Sequence, residues 1–192
     1  MNEFLNQRDY DAYHEAGHAV MALLVGGKIN HEGVEIDARQ YCGARFAPHD
    51  QEHRELMAVL WCLGGRRAEQ IHHHENRKQG WLDGDRGLED AIYEAHVLRQ
   101  NDEASDDDDI GAFTEMLRLT PDASDEHLLR RYNTYSDACL SALWEPPVWD
   151  SVTRVANALV QHGHLYSDDV EKYAAPVACS FLPRFRLDWL DD

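Results

Sequence analysis

Residues 10 to 25 carry Ala12, Ala16, Ala19, Val20 and Leu23 at three- and four-residue spacing, which lines one face of an α-helix, while His14 and His18 fall on the other face. Gly26-Gly27 closes that segment. Two short strand-like runs, Gly33-Val34-Glu35-Ile36 and Gly43-Ala44-Arg45-Phe46, follow around a turn-like stretch from Asp37 to Gln40. They predict a small hairpin or a pair of edge strands between Val34 and Phe46. A second helix is predicted from Gln51 to Ile71, because Leu56, Val59, Leu60 and Leu63 repeat as a buried stripe. Gly64-Gly65 lies inside it. Glycine costs a helix interior about 1 kcal/mol relative to alanine, so the pair predicts either a bend or the close approach of another backbone.

A polar loop is expected from His72 to Gly84, followed by a helix with Leu88, Ala91, Ile92 and Ala95 on one face. The acidic run Ser105 to Asp109 directly precedes Ile110, Phe113, Met116 and Leu117. Acids favour the positive end of a helix, so the run is read as a solvated helix start, with an interaction patch or weak cation site as the lesser reading. Two more helices, Asp125 to Trp144 and Val148 to His162, form a hairpin broken by Pro146-Pro147. Ala174 to Asp192 follows neither period. The pattern predicts a mainly α protein with a small β hairpin or edge sheet, as one domain over residues 1–172 with a tail over 173–192.

Charge narrows the partners. The 36 Asp and Glu against 18 Lys and Arg give a formal net charge of −18, which repels phosphate backbones and anionic membrane surfaces, so no nucleic acid and no membrane partner is expected. No apolar run approaches the roughly 18 residues of a membrane helix, and Met1 to Tyr10 does not resemble a leader. A cytoplasmic setting is expected. Cys42, Cys62, Cys139 and Cys179 are far apart without a CxxC pair, which predicts reduced, partly buried thiols.

The candidate chemistry lies on the first helix. His14 and His18, four residues apart, project from nearly the same side about 6 Å apart along the axis, so both imidazoles can reach one ion. Glu15 points about 100° around the helix, which suits hydrogen bonding to a water rather than ligation. A chain with 12 histidines would contain some His-Glu-x-x-His match by accident about one time in twenty, but this one sits in a helix with a coherent apolar back. Gly17 at its centre is costly unless something packs tightly there. Zn²⁺ is the expected ion and Glu15 the expected general base.

A catalytic zinc normally takes three protein ligands. Candidates for the third are Asp83, Asp85, Glu89 and the cluster His72, His73, His74. Against the buried stripe of the third helix, Asp83 projects to the opposite side and Asp85 lies about 70° from the stripe's centre, so Asp85 is preferred and the three histidines come second.

Tyr13-His14-Glu15-Ala16-Gly17-His18-Ala19 resembles the active-site helix of the FtsH family of AAA-linked zinc metalloproteases. Gly33 to Phe46 is similar to that family's following strand segment, and Leu63-Gly64-Gly65-Arg66-Arg67-Ala68-Glu69 to its Gly-Arg-x-Ala-Glu helix. Gly80 to Ala91 stands where the family has a Gly-rich loop leading to the third ligand, an aspartate at a helix start. Trp149 to Val170 resembles its closing helix. The resemblance, over about residues 10 to 172, implies a zincin-like helical peptidase domain in which Asp85 inherits the third-ligand role and Glu69 supports the site without binding the metal.

No Gly-x-x-x-x-Gly-Lys-Ser/Thr loop occurs in the sequence, so the expectation is a peptidase domain without an ATPase motor. Its substrates would be peptides or flexible protein segments, hydrolysed without ATP-driven unfolding. A homo-oligomer, or a separate ATPase or adaptor partner, fits the same resemblance. The alternative function is a non-hydrolytic or regulatory peptidase-like module that binds a partner protein.

Overall fold

The computed structural model describes residues 7–38, 40–46, 51–75, 87–101, 103 and 105–174, with the backbone alone for 51–55. Among them are seven helices: α1 (Gln7–Leu24), α2 (Gln51–Glu75), α3 (Leu88–Asn101), α4 (Asp108–Leu119), α5 (Asp125–Trp144), α6 (Pro146–His162) and α7 (Ser167–Ala174). Three strands, β1 (Lys28–Glu35), β2 (Tyr41–Arg45) and β3 (His164–Leu165), form an antiparallel sheet in the order β2-β1-β3. The protein is mainly α with a small sheet, as the apolar pattern predicts. No described helix is long and apolar enough to cross a membrane.

Helix α1 is the centre of the molecule. Its expected apolar face is buried, and so is every residue from Glu15 to Leu24, because α2, α6 and the sheet all pack against it. The two glycine signals on α1 and α2 have one cause. A Cβ on Gly17 would stand 2.4 Å from the Gly64 carbonyl oxygen and 2.5 Å from Ala68 Cβ, and one on Gly64 would meet the Gly17 carbonyl oxygen at 2.8 Å. The helices cross backbone to backbone. Helix α2 continues through its glycine pair without a break and extends four residues past the predicted end at Ile71, taking in His72, His73 and His74.

The sheet starts earlier than expected. In β1, Lys28 and Ile29 pair with Arg45 and Ala44, whereas Val34 and Glu35 pair with Cys42 and Tyr41. Asn30 to Gly33 therefore stand opposite the single Gly43, a bulge in which Gly33 takes a φ of 79°. A Cβ on Gly33 would meet the Leu165 carbonyl oxygen of β3 at 1.9 Å, so both conformation and space require glycine there.

Ser124 caps α5 by accepting a hydrogen bond from the His127 amide, and Pro146-Pro147 occupy the first turn of α6, where a missing N–H costs nothing. The helical hairpin lies where its apolar stripes place it. Strand β3 and helix α7 have too few residues to announce themselves by period. Cys42 and Cys139 are buried and Cys62 half-buried, all three as free thiols.

Candidate metal centre

The crossing of α1 on α2 brings two four-residue ladders together. On α1 the ladder is His14 and His18; on α2 it is Trp61, Gly65 and Glu69. His14 Nδ1 lies 2.7 Å from Glu69 Oε1, and His18 Nδ1 lies 2.7 Å from the Trp61 carbonyl oxygen. Both acceptors hold their ring's proton on Nδ1, which fixes the tautomer and leaves the Nε2 lone pair facing the other way. The two Nε2 atoms converge to 3.0 Å. Glu69 thus holds the His14 ring from behind, on the side away from the point where the two rings meet.

Gly65 makes the convergence sterically feasible. A Cβ there would lie 2.4 Å from His18 Nε2 and 2.7 Å from His14 Nε2, in the place where the imidazoles meet. A helical Cβ leans over the preceding turn, so its absence at Gly65 also uncovers the Trp61 carbonyl for His18. One missing side chain serves both contacts.

The third group is Asp108. Its Oδ1 is 3.2 Å from His18 Nε2 and its Oδ2 3.7 Å from His14 Nε2, and one ligand atom from each of the three residues lies within 4.8 Å of the others. Asp108 is the first residue of α4, and the Arg66 amide donates to its Oδ2 at 3.1 Å. The acidic run is a helix start, but only part of it is solvated. Asp107 is the N-cap, accepting from the Asp109 and Ile110 amides, while Asp108 and the buried Asp109 turn inward. The solvated start holds for Asp106 and Asp107, while Asp108 stands where the lesser reading, a cation site, would need it.

Asp83 and the expected ligand Asp85 lie outside the described residues, and α3 begins only at Leu88. Glu89 is exposed on α3. The histidine cluster belongs to the last turn of α2 rather than to a loop. His72 is buried and stacked on Tyr13 at 3.7 Å between ring centroids, and His74 is exposed beside Trp144. Among the described residues the one potential metal group is His14, His18 and Asp108.

The electrostatics of the group favour positive charge. Burial works against a charged His14, but Asp108, the hydrogen bond to Glu69 and the charges of Glu69 and Glu15 outweigh it and raise its pKa to about 10. His18 is likewise raised against its burial, chiefly by Asp108. Burial pushes the Asp108 carboxyl up, yet the two imidazoles bring it below its ordinary value.

Glu15 has a different environment. It is 3% exposed, its Oε2 has no hydrogen-bond partner among the described residues, and burial raises its pKa against the pull of His18 and His14. A bare buried carboxylate oxygen is costly unless something is to bind it.

Two imidazoles and a carboxylate, each held from behind, form a donor set that could bind a divalent metal ion and that is not specific to zinc. The cradle left by Gly65 and the unpartnered Glu15 oxygen fit such an ion. Helical spacing points to two of the three residues of this group. For Asp108 the sequence signal is weak: one cap needs one aspartate, and the run supplies three beyond that need. No protein-family model and no curated protein matches this chain, so the reading of the centre rests on its own residues.

Proposed function

We propose that the protein is a zinc-dependent peptidase in which His14, His18 and Asp108 hold the ion and Glu15 is the general base. The observation that carries this reading is the convergence of the three ligand atoms beside a buried carboxylate with an unpartnered oxygen. When bound, zinc would polarise a peptide carbonyl and lower the pKa of water towards roughly 7. Glu15 takes the proton from the attacking water and passes one to the leaving amine, a role suited by a carboxyl whose pKa burial has raised. The Nδ1 bonds to Glu69 and Trp61 hold both rings in the orientation that ligation needs.

An aspartate opening a helix is what the FtsH-type resemblance implies for the third ligand, and Asp108 meets that description where Asp85 was expected to. This supports the FtsH-type reading. Strand β2 is an edge of the sheet, and its buried Cys42, whose thiol pKa is raised chiefly by burial and then by the Glu15 carboxylate, lies close to that carboxylate. An extended substrate backbone pairing with β2 would therefore run past the centre. Phe46 and Trp61, with ring centroids 6.3 Å apart, and Trp61 5.6 Å from the His18 ring, offer an apolar wall for one of its side chains.

Glu15→Gln tests the reading. Cleavage of an unfolded test protein should fall by roughly 10²- to 10⁴-fold, the usual contribution of a general base, while the metal content stays that of the unsubstituted protein. Cleavage that persists unchanged in a metal-loaded Glu15→Gln protein would rule out Glu15 as the base, whereas an unsubstituted protein that is metal-loaded and cleaves nothing would favour a binding module.

A further inference from the structure

Asp109 is 4% exposed, and nothing in the proposed chemistry uses it. Its Oδ2 accepts from the Arg66 guanidinium at 2.5 Å, and its Oδ1 accepts from the Tyr132 hydroxyl of α5. Arg67 donates to that hydroxyl at 3.0 Å, and the Tyr132 ring stacks on Phe113 of α4 at 4.8 Å between centroids. A buried carboxylate costs several kcal/mol unless it is paired and hydrogen-bonded, and here three helices converge to satisfy one.

Arg66 holds two neighbouring aspartates with its two ends. Its backbone amide donates to Asp108 and its guanidinium donates to Asp109. Successive residues of a helix point about 100° apart. A single tether leaves a helix free to roll about its axis, whereas two tethers at that angle fix the roll. Roll decides whether the Asp108 carboxylate faces the imidazoles or misses them. Phe113, one turn beyond Asp109, carries the same restraint to α5 through Tyr132.

Building on the metal reading above, we propose that Arg66, Asp109 and Tyr132 are positioning residues for the metal centre, setting where the Asp108 carboxylate stands between His14 and His18. Asp109→Asn keeps an acceptor for Tyr132 but turns an amide N–H₂ towards the Arg66 donors. Tyr132→Phe removes one hydroxyl and keeps the ring on Phe113, so it preserves the packing of α4 on α5.

The test is zinc affinity by chelator competition, together with the visible absorption of the Co²⁺-substituted protein, on the unsubstituted chain and both variants. Trp149→Phe, which loses a 2.7 Å bond from its indole N–H to Glu75 and keeps an aromatic ring beside Tyr13, serves as the stability control. Asp109→Asn should weaken zinc roughly 10- to 100-fold, the usual contribution of outer partners to a metal site, and Tyr132→Phe about tenfold. Both should shift the cobalt bands, and the double variant should lose less than the product of the single losses, because both act through one helix start. Lower melting temperatures with zinc affinity and cobalt spectrum unchanged in both variants would overturn the proposal. Failure of the unsubstituted protein to bind either metal would instead overturn the metal reading beneath it.

Discussion

His14 and His18 come from successive turns of one helix, whereas Asp108 comes from the first residue of another, 90 positions beyond His18. The first side of the centre is built by repetition. A four-residue ladder on α1 meets a four-residue ladder on α2, and glycines at 17, 64 and 65 let the two backbones close on each other. The second side is built by placement. Asp108 reaches the imidazoles because α4 is capped at Asp107 and its start is tied to α2 through Arg66. Repetition writes itself into the spacing of the sequence; placement is a property of how distant helices pack.

Removing the placed candidate ligand, Asp108, should have the largest effect. Asp108→Asn keeps the shape and a neutral oxygen but removes the charge that both imidazoles face, and zinc affinity should fall by well over 100-fold, beyond the usual loss for an outer partner. Asp85→Asn, measured beside it, should leave zinc affinity unchanged. The reverse pattern would restore the ligand expected from the sequence and demote Asp108. Equilibrium dialysis against a buffered zinc series decides between them.

Gly65→Ala tests the repeated side with a single methyl group. Its Cβ would fall 2.4 and 2.7 Å from the two Nε2 atoms, and rings held from behind by Glu69 and Trp61 have little freedom to move aside. Zinc affinity should drop roughly 10- to 100-fold through lost preorganisation. Helix propensity works the other way by about 1 kcal/mol, so the fold itself need not suffer. Unchanged affinity in Gly65→Ala would mean that the ladders meet less closely than 3.0 Å between Nε2 atoms implies.

The same division explains what could be read in advance. The buried stripe of α2, the α5–α6 hairpin with its proline break, and the histidine pair on α1 each repeat at a fixed interval. Gly17 pointed to tight packing and the Gly64-Gly65 pair to a bend or a close approach, because glycine inside a helix needs a reason, and the close approach is what the crossing of α1 and α2 shows. The sheet was half legible: the bulge from Asn30 to Gly33 breaks the alternation that would have marked the start of β1. His72 looked like loop because three histidines in a row give no apolar period, yet its ring stacks on Tyr13. Asp107, Asp108 and Asp109 are one residue type in succession with three different fates, as cap, candidate ligand and ion-pair partner of Arg66. What separates them is 100° of helix rotation per residue and the neighbours each then meets.

The smallest expected effect joins the two sides, since protons and a cation compete for the same lone pairs. Asp108 and Glu69 raise the pKa of His14 to about 10 against its burial, and His18 is raised as well. A histidine raised on folding contributes stability that is complete below its ordinary value of 6.5 and is lost as pH climbs through the folded value, so with metal chelated the protein should lose stability from about pH 6.5 towards 10. Ligation needs Nε2 without a proton, so zinc affinity should move in the opposite sense, rising up to about tenfold per pH unit for each proton displaced. The gain in melting temperature on adding zinc should therefore widen steadily between pH 6 and 9. A gain that stays flat over that range would mean that the ion is held without His14 and His18, and would separate the repeated side of the centre from its chemistry.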